Sequence, residues 1–288
     1  MPGDALPPYR WPLEPHDRMH PVRAYLNDPR DGDAGGHAFH FGIDVSAADG
    51  SEVRAVEPGQ VHLGGPRNVA LVSSASARTF GYWHVVPAVR HGRRVLLGDL
   101  LGHVAAGWGH VHLAERLRAG DGPYVNPLRA GALTPFRPDA TPPRITALAC
   151  ERAGVLLDRR ALNGPVDLVA EAHDLPPLPV PPPWDDMPVT VARLRWRLLR
   201  GREVVRDWHT PVELGQEMLP QSAFGRIYAH GTRQNHPGAP GRYRYFLAHT
   251  LSTRLFPDGA YRVEVEASNV RGSASTAAFD IGIANGGV

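Results

Sequence analysis

The chain has 288 residues, of which 42% are hydrophobic and 21% charged, so it has length for two folded domains and no signature of wholesale disorder. All 31 basic residues are arginines and face 29 acidic ones, for a formal net charge of +2 without a basic stripe; lysine-dependent chemistry is excluded and nucleic acid is not an expected partner. No apolar run approaches the ~18 residues of a membrane helix, the opening residues lack the pattern of a signal peptide, and the single cysteine, Cys150, excludes an intramolecular disulfide and a cysteine-rich zinc site.

Residues 1–36 are rich in Pro, Asp and Gly and read as an irregular arm, with 22–26 its only strand-like piece. From His37 onward short alternating runs follow one another at 38–45, 52–56, 60–63, 68–73, 79–85, 94–97 and 110–114. Breaks at Asp49-Gly50, Pro58-Gly59, Gly64-Gly65-Pro66 and Gly107 separate them, which predicts an antiparallel all-β unit over 37–128. A proline-rich stretch at 129–143 reads as a linker. Beyond it, runs at 144–150, 166–173, 189–199, 204–208, 243–248 and 261–268 have the spacing of a β-sandwich over 144–288. The segment PPLPVPPPW at 176–184 cannot be a central strand, because proline gives the ladder no donor. Residues 213–241 read as a loop insertion or a short helix, and no long helix is expected anywhere.

Histidine is the unusual feature of the composition. Eight of the fifteen lie between His37 and His112, where no cysteine is present, so a transition-metal site there must use imidazole and carboxylate. His110 and His112 are two apart on a predicted strand and share a face. His40 and Asp44 are four apart and return to one face if the chain between them is extended, and Gly42 leaves that face open. Two imidazoles, a carboxylate and an open fourth position make up a catalytic zinc site. The same donors make up the site of a two-histidine, one-carboxylate iron oxygenase, the alternative reading, although those sites usually carry a shorter His–carboxylate spacing and need no His-x-His pair. His62, His91 and His103 are expected to be ordinary structural histidines, and His209, His230, His236 and His249 are too dispersed to form a cluster. Tyr82, Trp83 and Trp108 flank the candidate centre and serve either as groove walls or as core.

The motifs resemble the lysostaphin-type (LytM-like, duplicated-hybrid-motif) zinc metallopeptidases, which cut peptide cross-links in bacterial cell walls. His40-Phe41-Gly42-Ile43-Asp44 matches the family's His-x-Gly-x-Asp, and the run from Gly50 to Val61 fits the Gly-x-Pro/Glu-Val-x-Ala-x-x-x-Gly-x-Val that follows it. Tyr82-Trp83-His84-Val85, the Val95–Gly102 segment and His110-Val111-His112 supply the remaining three motifs in order, across about residues 11–128. The resemblance implies that His40, Asp44 and His112 hold one Zn2+, that His110 is the general base and that His84 steadies the oxyanion. It further implies a peptidoglycan or other peptide substrate and an extracellular or cell-envelope location. Two features depart from the pattern: the Ser/Thr-rich turn before His-x-His is replaced by Ala105-Ala106-Gly107-Trp108-Gly109, and segment 64–80 is short. An inactive relative that binds wall peptide or activates another hydrolase would keep the same fold.

In the second half, Asp258-Gly259-Ala260-Tyr261-Arg262-Val263-Glu264-Val265 opens on a turn signal and alternates apolar with charged residues. It resembles a late strand of immunoglobulin-like or fibronectin-like modules. The expected fold is therefore all-β: an N-terminal antiparallel metallopeptidase domain followed by an immunoglobulin/fibronectin-like β-sandwich.

Overall fold

The structure is a computed structural model, and it describes residues 6–31, 36–137 and 141–286. The first half folds into β1 (Val22–Ala24), β2 (Pro29–Asp31), β3 (His37–Phe39), β4 (Ile43–Ser46), β5 (Glu52–Arg54), β6 (Gly59–Gly65) and β7 (Asn68–Ser73). It continues with β8 (Arg78–Trp83), β9 (Val85–Pro87), β10 (Arg94–Val95), β11 (Leu100–Val104), β12 (His110–Arg116) and β13 (Tyr124–Val125). The second half contains β14 (Arg144–Arg152), β15 (Val155–Leu156), β16 (Pro165–His173), β17 (Arg193–Arg200), β18 (Glu203–Glu213), β19 (Arg244–Ser252), β20 (Gly259–Ser268) and β21 (Ala274–Ile283). The only α-helix among the described residues is the single turn Phe224–Ile227.

All strand pairings between these elements are antiparallel, and the chain is all-β as the alternating patterns predict. The main sheet of the first half runs β1-β4-β12-β8-β7-β6-β10, with β13 pairing the far end of β12, and a three-stranded sheet β5-β11-β9 packs with it. The alternation of β4, β12 and β8 explains the main sheet's two faces. Ile43, Leu113 and Tyr82 form one row across these strands and Val45 and Val111 another, all buried in the first core. Asp44, His112 and Trp83 form the row between them and point to the opposite face. Burying each such large apolar side chain contributes roughly 1.5–3 kcal/mol, which fixes the register that delivers the polar row to one place.

The stretch from 37 to 46 is not one strand. The His40 backbone N–H donates to the Asp28 carbonyl (2.9 Å) and its carbonyl accepts from Asn27 (2.8 Å), so the chain leaves β3 before it enters β4. Residues of the N-terminal arm are core residues too: Tyr9, Trp11, Leu13, Val22 and Tyr25 are buried in the first cluster. So are Ala132, Leu133 and Phe136 from the proline-rich stretch, where the Trp11 indole N–H donates to the Pro135 carbonyl (2.7 Å).

Two four-stranded sheets, β15-β14-β16-β19 and β18-β17-β20-β21, close over a second core centred on Trp196, Tyr245 and Val263. The halves are joined by buried hydrogen bonds. Asn27 donates to the Leu214 and Glu217 carbonyls (3.0 and 2.9 Å), Asp28 accepts from the Thr190 N–H (2.8 Å), and Phe39 packs in the second core rather than the first.

Candidate metal centre

His112 faces Asp44 directly across the β4–β12 ladder, a pairing that holds two side chains ~5 Å apart at Cβ. His40 arrives from the turn ahead of β4. Three donor atoms then converge: His40 Nε2 lies 2.8 Å from His112 Nδ1 and 3.1 Å from Asp44 Oδ1, and the third edge, His112 Nδ1 to Asp44 Oδ1, is 3.0 Å. All three residues are buried. These three His and Asp donors form a group able to hold a metal ion. Tetrahedral zinc with bonds of ~2.0 Å spaces its ligands by about 3.3 Å, so the triangle is close to one face of that tetrahedron.

The chemistry of the donors fits a cation better than a proton. The His40 Nδ1–H donates to the Tyr25 carbonyl at 2.8 Å, which leaves Nε2 as a bare lone pair aimed at the centre. Burial holds the His40 imidazole down to about 3, and burial likewise lowers His112 despite its hydrogen bond to Asp44. Burial pushes the Asp44 carboxyl up, but the neighbouring His40 and His110 rings and the hydrogen bond from His112 outweigh it, and the group sits well below the usual carboxylate range. Two neutral rings and a carboxylate share at most one proton among three close contacts, whereas a divalent cation satisfies all three. Asp44 Oδ2 points away from the triangle and accepts from Arg30 Nη2 at 3.1 Å.

Gly42 is required by the ring beside it. A Cβ at this position would meet His112 Nε2 at 2.8 Å and the Leu113 carbonyl oxygen at 2.5 Å. Phe41 and Trp83 enclose the same imidazole, with ring centroids 4.3 and 5.2 Å away.

His110, two residues along β12, places Nε2 3.4 Å from Asp44 Oδ1. Its Nδ1 is 2.7 Å from the Trp108 carbonyl and 2.8 Å from Arg23 Nη2. His84 follows β8 with φ 64°, a left-handed conformation that costs a non-glycine residue about 1 kcal/mol or more and recurs at functional sites. It stacks on Trp108 at 3.5 Å between centroids, and its ring lies 4.6 Å from that of His110. Desolvation, then the neighbouring His110 ring, lowers its imidazole to about 3.

The structure thus brings His40, Asp44, His84, His110 and His112 together. Trp83 and Trp108 line the cavity in front of them. Tyr82 does not: strand alternation turns it into the core, fully buried, where its hydroxyl accepts from the Val56 N–H at 3.1 Å. His62, His91 and His103 contribute nothing to the lining. The cavity measures about 680 Å³ and includes residues that sequence patterns did not single out: Arg23, Arg30 and Phe41 from the first half, Trp184, Gln234 and Asn235 from the second.

No family model matches the chain, and no curated protein matches it in sequence. Among solved structures, similarity extends to Helicobacter pylori Csd3 (17% identity, 39% of this chain and 32% of that one, TM-score 0.32). It extends also to the catalytic domain of the antimicrobial peptidase lysostaphin from Staphylococcus simulans (20%, 33% and 77%, TM-score 0.29). A third is a zinc-containing peptidase from Vibrio cholerae (20%, 42% and 39%, TM-score 0.35). The chain spans about a third of the Csd3 length and less than half of the Vibrio protein. Others to which the chain is similar include the M23 metalloprotease pseudoalterin (15%, 43% and 78%, TM-score 0.30).

Proposed function

We propose that the protein is a zinc-dependent endopeptidase whose substrate is a peptide, with peptidoglycan cross-links as the class that accompanies the lysostaphin-type motifs. The observation that carries this reading is the triangle of lone-pair donors, His40 Nε2, Asp44 Oδ1 and His112 Nδ1, with edges of 2.8–3.1 Å, beside two further imidazoles. These three residues hold the ion. A bound zinc supplies a Lewis acid and lowers the pKa of water from 15.7 to about 7.

The remaining roles belong to the chain's own groups. With Nδ1–H donating to the Trp108 carbonyl, His110 presents the Nε2 lone pair to the site, where it accepts a proton from water and returns it to the leaving amine. His84, neutral and clamped on Trp108, donates an N–H to the developing oxyanion rather than a positive charge. Trp83 and Trp108 form apolar walls for an extended peptide. A cell-envelope location accompanies this substrate class.

The second half is proposed as an immunoglobulin/fibronectin-like sandwich over 144–288. Its strand order, β14-β16-β19 in one sheet and β18-β17-β20-β21 in the other, supports that reading.

The test incubates purified protein with peptidoglycan and with generic peptides, with and without chelator, and identifies products by mass spectrometry. The expected result is peptide release that chelation stops and zinc restores. His110→Ala should keep its zinc while losing about 10²–10⁴-fold in rate. Metal analysis that finds iron instead of zinc, or full activity in His110→Ala, would overturn the assignment.

A further inference from the structure

Arg23 has a place in the cavity that the proposed chemistry leaves unexplained. The β1–β4 ladder pairs Val22 with Val45 and Ala24 with Asp44, so β1 carries one residue more than its partner. The extra residue is Arg23. Such a bulge re-aims a side chain that regular alternation would send elsewhere. Val22 turns into the core, and both Arg23 and Ala24 line the cavity in front of the metal centre.

The guanidinium is held on one side. Its Cζ lies 4.1 Å from the centroid of Trp184, from the proline-rich segment of the second half, and Nη2 lies 2.8 Å from His110 Nδ1; with that nitrogen's hydrogen directed at the Trp108 carbonyl, the guanidinium N–H groups find no acceptor there. Among the described residues no carboxylate pairs with it. The free oxygen of Asp44 is taken by Arg30, and Asp31 pairs with His236. Arg23 is half-buried, and desolvation lowers its pKa from the usual arginine range. The Asp44 charge offsets that desolvation only in part, and a partly desolvated cation with no direct carboxylate partner is costly unless something outside the chain completes it.

The neighbourhood says what that partner is. Arg23, Trp108 and Trp184 line both the 680 Å³ cavity and a second cavity of about 1000 Å³ beside it, so Arg23 stands at the junction. An arginine fork pre-oriented on an aromatic face matches the two oxygens of a carboxylate. One imidazole ring separates Nη2 from the Nε2 that faces Asp44, which places the fork directly beside the metal centre.

We propose that Arg23, aimed by the bulge and resting on Trp184, anchors a carboxylate of the bound peptide next to the metal centre. This deepens the peptidase reading and rests on it. The carboxylate comes from a free peptide C-terminus or from an acidic side chain, and the probes below distinguish the two.

The experiment measures fluorescence anisotropy of three fluorescein-labelled probes on the zinc-loaded protein, with probe integrity checked by mass spectrometry. The probes are pentaalanine with a free carboxylate, its C-terminal amide, and the amide with glutamate as last residue. One carboxylate probe should bind about tenfold or more tightly than the plain amide, and the better of the two names the source. In Arg23→Gln that preference should fall below about twofold, and Arg23→Lys should recover part of it. Equal affinities, no binding of any probe at millimolar concentration, or an undiminished preference in Arg23→Gln would overturn the proposal. Zinc content measured on the same samples keeps the two readings apart: wild type without zinc sinks the metallopeptidase assignment, while the carboxylate preference independently judges Arg23.

Discussion

Replacing Gly42 by alanine tests whether the spacing around His112 is set for an ion. The added Cβ would lie 2.8 Å from His112 Nε2 and 2.5 Å from the Leu113 carbonyl oxygen, where unstrained neighbours begin near 3.4 Å. The imidazole must therefore retreat by about 0.6 Å and the Leu113 carbonyl by about 0.9 Å, or residue 42 must move away from both. Metal–ligand distances tolerate shifts of only about 0.2 Å, so His112 Nδ1 leaves the position that completes the triangle. The expected loss of zinc affinity is about 10–100-fold, comparable to losing a supporting contact, with an overpacking cost of about 1–3 kcal/mol in stability. Competition against a fluorescent zinc chelator reads the first quantity, and urea unfolding of the chelator-treated protein reads the second. A Gly42→Ala protein that binds zinc as tightly as wild type would refute the reasoning, because the glycine would then serve the turn and not the ion.

Three further predictions concern the surroundings. Arg30→Gln removes the partner of Asp44 Oδ2 (3.1 Å) and should weaken zinc binding about tenfold while leaving the fold intact by circular dichroism. Arg78, fully buried between Glu57 and Glu115, should cost about 3 kcal/mol or more when replaced by leucine, because two buried carboxylates lose a counter-ion; a loss under about 1 kcal/mol in urea would contradict this. Asp28 is raised from 3.8 to about 6 by burial, against its backbone hydrogen bonds from Tyr25 and Thr190. The native state therefore binds the proton more tightly than the unfolded chain. The associated stability is fully present below about pH 4 and lost as pH rises through 6, by about 3 kcal/mol in all. Relative to wild type, Asp28→Asn should gain stability over that window, and a pH-independent difference between the two would contradict the assignment.

The sequence made some parts of this centre legible and hid others, for identifiable reasons. His110 and His112 were readable because a buried strand alternates strictly, and the same alternation separates Trp83, in the cavity, from Tyr82, in the core. The His40–Asp44 pair was readable as chemistry but not as geometry, since the strand expected across 38–45 breaks where the His40 backbone pairs with Asn27 and Asp28. Arg23 was illegible: a bulge leaves no mark on the hydrophobic pattern, and regular alternation hides which residue is extra. Trp184, Gln234 and Asn235 reach the cavity from 140 or more residues beyond Asp44, through contacts between the halves that no local pattern encodes. Strand β21 leaves little trace in the sequence because its Ala, Ser and Gly residues carry little apolar alternation while still pairing along the whole of β20.

The most direct measurement is the metal content of the purified protein alongside His40→Ala, Asp44→Ala and His112→Ala, by elemental analysis and X-ray absorption. The account predicts one zinc per chain in wild type with two nitrogen donors and a carboxylate oxygen at about 2.0–2.2 Å, and loss of that zinc in each variant. A wild-type protein that binds no divalent ion, or variants that keep it at full occupancy, would contradict it.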